Sequence, residues 1–570
     1  MTPVPTADAD QKPNVPPARP GTAQADLSAN IGTKVGRSMI WMLGTSILIK
    51  GLSFVAQVAM GWYLSDDDFG VFALAFAIVG LCSFIREGGA RDYLIQQGPG
   101  RYKELIGPLF WMAMTLTVIL AVLLLCLAGV MKNLPALFPL SFRDPRLPWL
   151  LVLGAVMLCL STPSSFTSAK LQVDMRFETL GKVQIGSGLV RYGTMIALAA
   201  AGFGPFAFLI AWIAVAAFEL AAFRRVVGIN LFAEPKKRHL WGGYIALTIW
   251  LAVGFFGNFL VEWGNSAAVG LFRPQAIVGH YYFAFGLTVQ LVVLLSVNAQ
   301  YVLMPALTRL NDQPQRQSQA ILKTTRALVL VASGLCLGFS VAADSVMTVI
   351  WHTKWEPAVL AVQVFGVFFP MRMTYGLTLA IMQAKGQFKP WAITSVIEAG
   401  LLFAAAGLGA WYAPGAEWPA LFVGVTLVFS RAWITGLVLK QAGIGARQRI
   451  AAQFPAWGLA LLAAAVVWYA DIAVVGIQGW SDLRGLTSGF GGLSPRWSDA
   501  LAEMVRGASL GLAFGVLYAA LIRVFMPGAV AEAVALAPRR LRGLAARLMF
   551  INLQPALTAE QAAAEVSQPN

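Results

Sequence analysis

The 570-residue sequence is 58% hydrophobic and 12% charged, with a formal net charge of +15. Water-soluble chains reach ~45–50% apolar with glycine included and ~25% charged, so this composition excludes a soluble enzyme and makes the bilayer the main solvent. The basic excess would suit nucleic acid in a soluble chain, but here its meaning depends on the side of the membrane it occupies.

Residues 1–36, rich in Pro, Ala and Asp, lack an apolar core and read as a disordered cytoplasmic tail. Runs long enough to cross a hydrocarbon core of ~30 Å then recur. They lie at about 38–62, 70–86, 105–131, 147–166, 183–203, 205–223, 241–266, 281–303, 326–350, 357–383, 390–412, 418–439, 452–472 and 505–525. The expected fold class is therefore an all-α polytopic membrane protein of about 14 transmembrane helices. With the N-terminus inside, only Lys132, Arg143, Arg146, Arg273, Lys354, Arg484, Arg496 and Arg506 fall in outer loops. Lys50, Arg191, Arg372 and Arg431 lie within spans, and every other Lys and Arg falls in the tails or inner loops. That asymmetry is the positive-inside pattern, with both termini cytoplasmic. The charge is thus an orientation signal, strongest from Arg224 to Arg238, with anionic inner-leaflet lipids as neighbours and no nucleic acid.

Two internal matches indicate duplication. Gly70-Val71-Phe72-Ala73-Leu74-Ala75-Phe76 resembles Gly279-His280-Tyr281-Tyr282-Phe283-Ala284-Phe285, 209 residues on. Leu171-Gln172-Val173-Asp174-Met175-Arg176-Phe177 resembles Met382-Gln383-Ala384-Lys385-Gly386-Gln387-Phe388, 211 residues on. The expectation is two six-helix lobes related by pseudo-two-fold symmetry about the membrane normal, with substrate between them. The domains are then 37–224 (N-lobe), 225–240 (basic cytoplasmic linker), 241–440 (C-lobe), 441–526 (helices 13 and 14) and 527–570 (cytoplasmic tail).

Chemistry-bearing residues are few. Cys82, Cys126, Cys159 and Cys336 sit in apolar runs as small hydrophobes, and His239, His280 and His352 lie in separate segments without ligand spacing, so no metal or other cofactor is expected. There is no P-loop or Ser-His-Asp set, and the longest outer loop, about 473–503, is too short for a catalytic domain. A transporter is expected, not an enzyme. Charges at membrane depth cost ~2.5–3.5 kcal/mol each, so they face a cavity or a partner. Lys50, Arg191, Arg372 and Arg431 are the candidate grip on an anionic substrate such as a phosphate, with Arg86 and Arg91 closing span 2; pairing with neighbouring acids, or an ordinary basic loop for the last two, is the alternative. Glu262, Asp344 and Glu398 are the candidates for ion coupling, and Pro370 is the candidate for a kink beside Arg372. Asp66, Asp67 and Asp68 read as a turn and helix cap.

Several segments carry a resemblance. Leu64-Ser65-Asp66-Asp67-Asp68-Phe69-Gly70, Met175-Arg176-Phe177, Gly202-Phe203-Gly204, Leu303-Met304-Pro305-Ala306-Leu307 and Lys354-Trp355, in this order across about residues 33–440, resemble the Wzx-type bacterial oligosaccharide flippases. These belong to the multidrug/oligosaccharidyl-lipid/polysaccharide exporter superfamily. The resemblance implies two lobes that alternate access and move a polyprenyl-pyrophosphate-linked oligosaccharide across the inner membrane for exopolysaccharide, capsule or O-antigen. A polysaccharide polymerase and a chain-length regulator are the partners it suggests. Relatives carry an Asp in span 7 where this chain has Asn265, leaving Glu262 as the nearby acid. A multidrug or organic-cation antiporter of the same fold, and a lipid-dependent glycosyltransferase or polymerase using Asp66 to Asp68, are the rival readings.

Overall fold

A computed structural model describes residues 44–87, 89–228, 230–291, 313–476 and 495–536, and these residues form helices without any strand. In hydrocarbon an unpaired backbone amide costs several kcal/mol, so continuous apolar segments close their own hydrogen bonds as helices. The first half comprises α1 (Gly44–Tyr63), α2 (Asp66–Glu87), the short α3 (Ala90–Gln96), α4 (Gly98–Asn133), α5 (Leu147–Val173), α6 (Phe177–Ala200) and α7 (Phe206–Val227). The second half follows with α8 (Trp241–Phe259), α9 (Asn265–Gly270), α10 (275–291), α11 (Pro314–Trp351), α12 (Glu356–Phe368), α13 (Thr374–Ala384), α14 (Phe388–Tyr412) and α15 (Glu417–Gln441). After these come α16 (Ala446–Gln453), α17 (Pro455–Gly476), α18 (Pro495–Phe525) and α19 (Pro527–Leu536).

Eleven of the described segments are long and apolar enough to cross a membrane. Helices also occupy the expected fifth, seventh and eighth spans, as α6, α8 with α9, and α10. α6 is more polar because it carries Glu178, Lys182 and Arg191, and the seventh is interrupted. The expected tail before residue 37, the end of the eighth span and Leu303 to Leu307 lie outside the described residues.

Two interruptions shape the second half. Leu260–Gly264 forms a π-helical turn joining α8 to α9, with Glu262 inside it. Such turns recur at functional sites. Phe369–Met373 is a 3-10 stretch between α12 and α13, beginning at the turn that contains Pro370. Proline removes a backbone donor and cannot continue an α-helical ladder, so Arg372 sits on a break. Pro163, in contrast, lies within the unbroken α5.

The helices of each half pack chiefly on their own half; the halves touch along α2 and α8, and again at the Ser65 turn. There Ser65 and Asp68 cap α2 reciprocally, with N–H to side-chain oxygen distances of 3.1 and 3.2 Å. Asp68 also holds Arg146 at 2.5 Å. Trp351 and Trp355 Nε1 donate to the carbonyls of Val58 and Gly61 at 3.0 Å each, and the Trp355 ring stacks on Phe283 at 3.8 Å. The core of this seam is aromatic: Phe69 lies edge-on to Phe208, Phe283 and Trp355.

Candidate functional site

The charged residues fall into three groups. In the central one, Arg372 from the 3-10 break pairs with Glu262 in the π turn, its guanidinium 5.1 and 5.4 Å from the Phe285 and Phe369 ring centroids. Both partners stand on interrupted helix, where side chains from two spans can meet head-on. Arg431 on α15 pairs with Glu398 on α14 at 2.7 Å, the side chains 5% and 2% exposed. Glu398 also accepts from Ser430 Oγ at 3.1 Å, and Arg431 lies 4.7 Å above the Tyr375 ring. Tyr375 feels Arg431, Glu262, Glu398 and Arg372 together, so the two pairs are one electrostatic unit.

The first half adds two cations. Arg191 on α6 lies 3.8 Å above the Trp212 ring of α7, and Tyr282 of α10 is among its charged or polar neighbours. Lys50 on α1 makes no ion pair among the described residues, its electrostatic neighbours being Arg191 and Glu262. Lys50 thus neighbours Arg191 and the Glu262–Arg372 pair, which in turn neighbours the Glu398–Arg431 pair, so two carboxylates stand among the four cations. An isolated charge in a dry interior is strongly unfavourable, and a partner with additional hydrogen bonds offsets that cost.

The second group lies inside the first half. Arg86 donates through Nη1 to Ser161 Oγ and to the Leu158 carbonyl, the latter at 3.3 Å. Arg86 and Arg91 line a pocket with Glu219 and a row of serines. The third group is at α11, α17 and α18, where Arg506 binds Asp344 at 3.0 Å, Asp471 at 2.7 Å and Glu503 at 3.4 Å. Asp344 thus sits apart from the central charges and joins the C-terminal helices to the second half. No cluster of metal-ligating side chains occurs among the described residues.

One relation escaped the sequence comparison. Ser187 on α6 donates to Glu219 on α7 at 2.9 Å, and Ser430 on α15 donates to Glu398 on α14. Ser187 and Glu398 are 211 residues apart, as are Glu219 and Ser430. The same two positions thus carry the same hydrogen bond in both halves with donor and acceptor exchanged. Self-comparison scores both as mismatches, although the offset of 211 from the segments at 171–177 and 382–388 points to them.

Among proteins of known name, the chain is 20% identical over 357 residues to the lipopolysaccharide biosynthesis protein WzxC of Escherichia coli (strain K12), covering 61% of this chain and 69% of WzxC. It is 22% identical over 327 residues to the succinoglycan biosynthesis transport protein ExoT of Rhizobium meliloti (strain 1021), covering 55% of this chain and 63% of ExoT. Its fold matches that of the lipid II flippase MurJ in an inward closed conformation with a TM-score of 0.58 at 11% identity, over 84% of this chain and 99% of MurJ. Residues 60–360, more than half of the chain, match a family described as polysaccharide biosynthesis protein. An all-helical membrane chain with this fold and these matched residues belongs to the polysaccharide biosynthesis protein family.

Proposed function

We propose that the chain is a transporter that moves a polyprenyl-pyrophosphate-linked oligosaccharide across the bacterial inner membrane for exopolysaccharide, capsule or O-antigen assembly. The observation that carries this reading is the central cluster, in which Arg372 and Arg431 pair with two carboxylates while Lys50 and Arg191 stand beside them without an ion pair among the described residues. The named relatives act in polysaccharide biosynthesis, and one is a transport protein. A cluster with excess positive charge, drawn from both halves, suits the diphosphate while the polyprenyl chain stays in lipid.

In this reading fourteen helices cross the membrane as two six-helix lobes and two C-terminal helices, with both termini cytoplasmic. The contacts of Gly70 with the Gln275 carbonyl and of Gly279 with the Asp66 carbonyl, together with the exchanged Ser–Glu pairs, support the two-fold relation. Entering diphosphate oxygens compete with Glu262 for Arg372, bidentate donors being well matched to phosphate. The freed carboxylate then takes up a proton or cation, and the lobes rock. Binding drives the change only through unequal affinity for the two facing states.

The same fold in a drug antiporter would place carboxylates in excess, whereas here cations outnumber them. Asp66 and Asp68 are engaged in turn, cap and ion-pair contacts, which speaks against a catalytic role. Transfer of a purified polyprenyl-pyrophosphate oligosaccharide across liposomes, with Lys50→Ala and Arg372→Ala as controls, tests the proposal. Transfer lost in both controls is expected; passage of cationic dyes in its place would move the chain to the drug-antiporter reading.

A further inference from the structure

The pocket in the first half has a volume of about 360 Å³, within the ~300–1,000 Å³ typical of ligand sites. Its lining comes from α2, α3, α5, α6 and α7 alone, so it stays intact when the halves move as bodies. Ser161, Ser164, Ser165 and Ser168 recur at the spacing that places them on one face of α5. Three of these hydroxyls donate to backbone carbonyls one turn back, Ser161 to Leu158 at 3.2 Å, Ser164 to Ser161 at 2.9 Å and Ser168 to Ser165 at 2.7 Å. Ser161 Oγ also accepts from Arg86 and Ser164 also lies against Glu219, so Ser165 and Ser168 are the hydroxyls left to face the pocket.

The same pocket also holds donors. Arg91 has a buried Nε without a hydrogen-bond partner, and the Gln184 amide adds both a donor and an acceptor. Phe76, Phe84 and Trp212 supply apolar surface. A diphosphate needs donors only, and the serine acceptors and Glu219 would oppose it. An apolar cation would leave the serine row unused. A pyranose ring matches all three features, with hydroxyls that donate and accept around its edge and C–H faces above and below. Trp212 also bears Arg191 on its ring, so the pocket shares a wall with the central cluster, as a sugar joined to a phosphate requires.

We propose that this pocket seats one pyranose residue of the lipid-linked glycan and selects which glycan is carried. The lipid carrier rests on the function proposed above; the sugar site does not.

The test is saturation-transfer NMR on the detergent-solubilised full chain, with the free repeat-unit oligosaccharide released from the source bacterium's own lipid-linked precursor. Sugar protons should saturate with wild type. The signal should vanish in Ser165→Phe, which fills the pocket, and weaken about three- to tenfold in Gln184→Ala, which removes one amide from its rim. No saturation with wild type, or undiminished saturation in Gln184→Ala, overturns the proposal whatever Ser165→Phe does to the fold. Liposome transfer on the same proteins separates the two readings. Pocket-dependent sugar binding without lipid transfer sinks the flippase and leaves the sugar site; transfer with no such binding does the reverse.

Discussion

Gly279 packs so tightly on Asp66 that a β-carbon there would overlap the Asp66 carbonyl oxygen. The converse contact brings Gly70 against the carbonyl of Gln275. Asp66 and Gln275 are 209 residues apart, as are Gly70 and Gly279, so each contact is the image of the other. Reciprocal contact of this kind is what a two-fold axis through the seam generates.

Alanine at either glycine should therefore harm the seam to a similar degree. The obstacle is backbone, which cannot rotate away, and overpacking of this sort costs about 1–3 kcal/mol. Thermal unfolding of Gly70→Ala and Gly279→Ala in detergent measures it. Two unchanged midpoints would mean that the halves do not hold together here.

Arg431 and Glu398 behave as a unit. Removing one partner of a buried pair leaves a bare charge and costs about 3–5 kcal/mol, whereas replacing both with apolar residues is often neutral. Arg431→Met and Glu398→Met should each lower the unfolding midpoint and the double replacement should largely restore it. Additive losses in the cycle would refute the coupling.

Lys50 should separate function from stability. It makes no ion pair among the described residues, so Lys50→Ala should leave unfolding unchanged. Losing one charged contact of about 1.5–3 kcal/mol to the diphosphate should slow lipid transfer by roughly ten- to a hundredfold. Lys50→Arg should retain most of it. Normal transfer by Lys50→Ala would remove Lys50 from the site.

Asp344 is engaged by Arg506 together with Asp471 and Glu503. Asp344→Asn should accordingly support transfer at a near-normal rate. Arg506→Ala leaves three acids without their shared cation and should expose α18 to limited proteolysis ahead of the other helices. A coupling defect in Asp344→Asn would place that acid back in the transport cycle.

Much of the architecture could be read from hydropathy because bilayer thickness imposes one length on every crossing. What could not be read has identifiable causes. The π turn at Leu260–Gly264 changes the backbone register without leaving an evident mark in composition. The pairings Glu262 with Arg372 and Glu398 with Arg431 join residues 110 and 33 positions apart, a proximity fixed by helix packing that linear reading does not contain. The sequence gathers Lys50, Arg191, Arg372 and Arg431 by one criterion, charge at membrane depth. That criterion cannot sort Arg86 and Arg91 into a separate pocket, since in the sequence both fall at the end of span 2, beside an expected inner loop. Pro370, by contrast, does mark its break, because a missing amide acts locally.

The exchanged Ser–Glu pairs constrain how the two halves came to differ. Two hydroxyls at such a site bond to each other in either sense, whereas two carboxylates side by side in a dry setting repel. An ancestor with serine at both positions is one residue change from each present arrangement, without passing through that repulsion. Along that course each half would gain its acid at a different position, on α7 in one and on α14 in the other. The two halves thus carry the same charge at this site but on opposite partners of the pair, an asymmetry of placement and not of amount.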